Sequence, residues 1–185
     1  MKRTWGILLS VLLMALCSWA QVKNPVTTVV KEILARQSKN ITAAVEAMPA
    51  DKFSYKPTPE QMSFGHLVTH IVESNNMFCS LAANEAPPPI KAPEETASKD
   101  ILLAAVRRSF DYCTAALDRA DDSKLGDTIE VFGGRKEPRA FAFIAIASSM
   151  ADHYGAAAMY LRLNGVLPPT AQKKGVEMKH TEDKK

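Results

Sequence analysis

Apolar residues recur along this chain at the spacing of helix faces. From about Val26 to Met48, the positions Val26, Val30, Ile33, Ile41, Ala44 and Met48 return at intervals of three, four or eight, which puts them on one side of a helix. From Ser63 to about Ala83 the stripe is Phe64, Leu67, Ile71, Phe78 and Leu81, with Ser63 as N-cap. From about Ser98 to Ala120 it is Leu102, Ala105, Cys113, Ala116 and Ala120, with Ser98 as cap. From about Arg139 to Asn164 it is Phe143, Ile146, Met150, Ala157 and Leu161, with Gly165 as a stop signal. All eleven prolines fall outside these periodic stretches, as they should if the stretches are helices, because proline breaks a helix interior. Thr128 to Phe132 reads as one short strand before a Gly133-Gly134 turn, too little for a sheet. The expectation is an all-α four-helix bundle with long connections at 50–62 and 84–97.

The ends read differently. Lys2 and Arg3 precede an apolar run, Trp5 to Leu16, followed by Ser18-Trp19-Ala20. This is the layout of a secretory signal peptide, residues 1–20, cut after Ala20. The run is about 12 residues, short of the roughly 20 that span a bilayer, so no stable membrane insertion is expected after cleavage. Export to the periplasm or beyond follows. The bundle then occupies 21–170, and the charged residues 171–185 form an expected disordered tail. Both tryptophans leave with the leader, and the formal net charge of +3 falls to about +1. That balance excludes a nucleic-acid partner.

Cys79 and Cys113 remain after cleavage. Cys79 lies 16 residues after Ser63, and Cys113 lies 15 after Ser98, so each sits roughly 23 Å along its helix. They are level only if the second and third helices run parallel. The long 84–97 connection, with four prolines, suits a crossover between parallel helices. An up-down-down-up bundle with a Cys79–Cys113 bridge is one outcome, and two small buried thiols are the other.

Of the four histidines, His180 lies in the tail. His66 and His70 share a face of the second helix. His70 and His153 flank the apolar stripes of helices that should run antiparallel, at roughly 10 and 16 Å from the same end. Imidazoles from facing helices are how bundles build metal sites. Zinc with an open position takes three protein ligands, so two imidazoles alone equally suit ordinary half-buried histidines.

Two segments sharpen this. SFGHLVTHI (63–71), running into ESNNMFCS, resembles the second helix of DinB-like proteins, and HYGAAAMYLRLNGVLPP (153–169) resembles the end of their fourth. MPADKFSYKPTPE (48–60) and the FGG of 132–134 resemble secreted members. The resemblance, to the DinB/YfiT superfamily, covers essentially the whole expected mature chain. It implies an up-down-down-up bundle with a divalent-metal site, often zinc or nickel, made by three histidines. His70 matches one ligand and His153 a second. The third falls at Ser149, and a glutamine common in the family falls at Ala156. A serine hydroxyl is a poor ligand beside imidazoles. His66, a carboxylate from Asp152 or Glu73, or water are the imaginable replacements, although Asp152 should point about 100° away from His153.

Tyr154 and Tyr160 are candidates to line a pocket near His153, or else amphipathic core-edge residues. Arg135, Lys136 and Arg139 form a basic cluster, read as a solvated loop with anion binding as the alternative. There is no nucleophile elbow, Walker loop or CxxC pair. Three functional readings stand. The first is an exported metal-dependent hydrolase or transferase with a degenerate site held by His70 and His153. The second is a non-catalytic bundle that binds a small ligand or a weakly held metal. The third is an envelope interaction protein, a homodimer through exposed helix faces.

Overall fold

A computed structural model describes residues 22–89 and 91–172. The expected signal peptide, His180 and the tail beyond residue 172 lie outside the described residues. Four long helices dominate: α1 Pro25–Ala47, α2 Phe64–Ala83, α3 Lys99–Asp118 and α4 Ala140–Leu163. Two short strands, β1 Thr128–Glu130 and β2 Lys136–Pro138, lie between α3 and α4.

The helix ends are set by local chemistry. Ser63 Oγ accepts the His66 N–H at 3.0 Å, and Ser98 Oγ accepts the Ile101 N–H at 3.5 Å. Pro25 is the first residue of α1, so one proline does enter a helix, at the position where a missing N–H costs nothing. The cap of α1 comes from far away in the chain. The Asp122 carboxylate accepts the Val26 and Thr27 N–H groups at 2.7 and 3.1 Å, placing a negative charge at the positive end of the helix. At the other end of α1, Lys99 Nζ donates to the Glu46 and Met48 carbonyls at 2.6 and 2.8 Å.

α2 packs on α3 and α4, and α1 packs on the same two. Paired residues fix the directions. Asn75 Nδ2 donates to Ser109 Oγ at 2.9 Å. One turn further along both helices Cys79 and Cys113 form a disulfide, with Cα atoms 5.1 Å apart. α2 and α3 are therefore parallel. Phe64 meets Tyr160 and His70 meets His153, so α2 and α4 are antiparallel. Lys31 pairs with Asp118 and Glu46 with Arg107, which makes α1 and α3 antiparallel too. The topology is up-down-down-up, with 84–98 as the crossover.

Gly65 shows how closely the crossover returns. A Cβ there would lie 2.2 Å from the Glu95 carbonyl oxygen, so only glycine fits against that backbone.

The stripes of α2, α3 and α4 largely face the core, with Phe64, Ile71, Leu102, Phe143, Ile146, Met150 and Leu161 nearly inaccessible; Leu81 is only partly buried. In α1 the expected stripe is displaced. Leu34 is 2% exposed, whereas Val26 is 41% exposed and Ile33 is only partly buried. Counting in threes and fours back from Ala44 through Ile41, Gln37 and Leu34 lands on Val30 and Thr27, which are the buried positions.

The strand expected at 128–132 has a partner. β1 pairs with β2 in antiparallel register, Ile129 opposite Glu137. Gly133 and Gly134 take φ +67° and +78° to make the turn. β2 escapes the periodicity reading because its three residues, Lys136 to Pro138, are polar or exposed. Among the described residues no helix is long and apolar enough to cross a membrane.

Candidate ligand pocket

His70 sits in the second turn of α2, and His153 projects from the antiparallel α4 at the same height. Their rings meet edge to face, with centroids 5.0 Å apart and planes at 83°. His70 is partly exposed, whereas His153 is 6% exposed. Burial, and then the neighbouring His70, push the His153 pKa down to about 4, against the pull of Asp152. The ring is therefore neutral at pH 7. Its Nε2 is buried and has no hydrogen-bond partner.

Both imidazoles line an open-mouthed pocket of about 390 Å³. Leu67, Ala156, Met159 and Tyr160 form its helical walls, and Pro57, Glu60, Gln61 and Met62 of the 48–63 connection form the rest, with Asp152 beside His153. The loop wall is fastened in four places. The N–H groups of Phe64 and Gly65, unpaired within α2, donate to the Tyr55 and Phe53 carbonyls at 3.1 and 2.8 Å. Tyr160 Oη donates to the Met62 carbonyl at 2.6 Å. Phe53 packs edge to face on Phe64, with 5.2 Å between centroids. Burial, and then Tyr55, raise the Tyr160 pKa, keeping that hydroxyl a donor.

The other candidates separate. His66 Nδ1 lies 2.8 Å from Glu95 Oε2 on the crossover, so it serves the bundle end. Glu73 borders a different depression, with Met77 and Pro88. Asp152, expected to point away, does reach the pocket, which is wide enough to take in both it and His153. Tyr160 lines the pocket, whereas Tyr154 Oη pairs with Thr170 Oγ1 at 2.8 Å. The basic cluster is divided between acidic partners: Arg135 pairs with Glu137 and Arg139 with Asp127.

The residues that sequence reasoning missed are Pro57, Glu60, Gln61, Met62 and Met159. Four of them belong to a loop with no periodicity to reveal its facing. Met159, more than half exposed, sits off the apolar stripe that was counted.

Two imidazoles make an incomplete donor set. Among the described residues no three of His, Cys, Asp or Glu gather as a metal-holding group. A zinc ion with an open position takes three protein ligands, so this donor set does not fit a tightly held ion.

Three solved structures share the fold. A DinB-like protein from Bacillus subtilis (YjoA) is 22% identical, with a TM-score of 0.61, over 74% of this chain and 91% of its own. A conserved protein from Enterococcus faecalis is 19% identical, with a TM-score of 0.62, over 77% and 98%. A DinB-like protein from Bacillus cereus is 16% identical, with a TM-score of 0.56, over 72% and 89%. No curated protein sequence matches. The family model of the DinB superfamily matches residues 33–157. With that match across most of the helical bundle, the chain belongs to the DinB superfamily.

Proposed function

We propose that this chain is an exported DinB superfamily protein that binds a small molecule in the pocket floored by His70 and His153. One observation carries the reading: His153, whose buried Nε2 has no hydrogen-bond partner, lines a pocket large enough for an organic ligand. An unsatisfied buried polar atom costs about 1–3 kcal/mol. A ligand that hydrogen-bonds it recovers that cost, and the apolar walls add burial. Two further observations support the reading. Ala156, at the position of a common family glutamine, leaves space in the wall. Ser149 in place of a ligand histidine argues against a resident metal.

The test is a fragment screen read by the imidazole nitrogen resonances of the purified protein. Binders should move the His153 Nε2 signal, and Ala156→Phe should abolish their effect. A screen in which no compound moves that signal would remove the reading. Export is tested by N-terminal sequencing of periplasmic protein, which should begin at Gln21.

A second reading, a divalent-metal-dependent hydrolase or transferase, is favoured by the meeting of His70 and His153. Metal content above about 0.1 equivalent after purification, with a thermal shift on adding zinc or nickel, would support it; the absence of both would remove it.

A further inference from the structure

The pocket has a charge character that neither histidine explains. Glu60 and Asp152 stand at its mouth, and no Lys or Arg lines it. Both carboxylates are exposed. Among the described residues neither belongs to an ion pair, although Asp118, Glu46, Glu85, Glu137 and Asp127 each pair with a lysine or arginine. The other walls are thioether, aliphatic and phenolic: Met62, Met159, Leu67 and Tyr160. His153, a residue only 6% exposed and with an unpartnered buried Nε2, also lines the pocket.

We infer that the pocket selects an organic ammonium compound: an apolar body seated between Met62, Met159 and Tyr160, with its cationic group at Glu60 and Asp152. This rests on the small-molecule reading above and adds the ligand's charge. An anionic ligand would meet two carboxylates and no balancing cation, which repels it before contact. A bare inorganic cation would leave the apolar walls unused, whereas a hydrophobic amine uses both walls and mouth. Methionine and tyrosine also present polarisable and π-rich surfaces that favour a cation.

Three probes of matched size separate the possibilities: phenethylamine, 2-phenylethanol and 3-phenylpropanoate. Each is titrated into the full mature protein in the presence of EDTA, with the His153 resonance and calorimetry as readouts. Phenethylamine should bind about tenfold more tightly than the alcohol, from two screened charge contacts, and the carboxylate more weakly than either. In Glu60→Gln/Asp152→Asn the amine and alcohol affinities should converge, and in wild type the preference should shrink with added salt. Equal or tighter binding of the alcohol or the carboxylate would overturn the charge selection while leaving the pocket reading intact. If none of the three binds and none moves the His153 signal, both fail. A thermal melt of the double variant separates lost selectivity from lost fold.

Discussion

The Tyr160 hydroxyl, on the last turns of α4, donates to the Met62 carbonyl of the connection that precedes α2. One hydrogen bond thus ties a helix to the loop that forms the opposite wall of the pocket. Tyr160→Phe keeps the ring and removes the bond, so stability should fall by about 1 kcal/mol. Amide exchange should quicken at residues 57–62 more than in the helices. Uniform exchange across the molecule would contradict this role.

Acid should weaken the fold through His153. Above pH 6.5, the ordinary value for the group, folded and unfolded chains both hold it neutral. Below that, the unfolded chain takes up a proton that the folded chain refuses until about pH 4. Stability should therefore decline as pH falls through that window, by at most roughly 3 kcal/mol from this group. Denaturant midpoints between pH 7.5 and 4 provide the measurement. His153→Phe, which has no proton to gain, should flatten the curve; an unchanged slope would assign the decline to other groups.

Ser149 lies one turn before His153 on α4, on the same side of the helix. Ser149→His should supply a third imidazole beside His70 and His153 and raise zinc affinity by about 100-fold. A thermal shift with zinc, seen in the variant and not in wild type, is the expected result. No gain would mean that the backbone at 149 is set too far from the pair.

The Cys79–Cys113 bridge joins residues 34 apart in sequence. Closing a loop of that size in the unfolded chain contributes about 4 kcal/mol in the chain-entropy picture. Cys79→Ala/Cys113→Ala should lower the urea midpoint accordingly, and a reductant should bring wild type to the same value.

Gly65→Ala places a methyl group where the Glu95 carbonyl oxygen lies, 2.2 Å away. Because the neighbour is backbone, the crossover must shift. The expected cost is about 1–3 kcal/mol, with faster exchange around residues 93–97 as its local signature.

Much of this was legible in the residues. Three of the four apolar stripes face largely inward, because a 3.6-residue period leaves little choice of face. The cysteine heights match only for parallel α2 and α3, the arrangement that the bridge confirms. His70 and His153 meet because both flank stripes within about a helical turn of the same height. What was not legible came from long-range partners. Asp122 capping α1 cannot be seen in a local window, nor can the pairing of β2, whose residues carry no alternation. The loop wall at 57–62 has no period at all, so its acidic residue and its methionine reach the pocket through the bonds that Phe64 and Gly65 make to Tyr55 and Phe53 just before it and that Tyr160 makes to Met62. Asp152 lines the pocket beside His153 even though a helical step separates their directions, because the pocket has width.

The disulfide and the pocket occupy different ends of the bundle. Cys79 lies nine residues beyond His70 on α2, about 14 Å down the helix axis. The covalent staple secures the end where the hairpin sits, while the pocket end is held by noncovalent contacts: apolar and aromatic packing, hydrogen bonds and the His66–Glu95 pair. A reductant should therefore loosen the far end first, with the imidazole pair and its loop wall the last to feel the lost bridge.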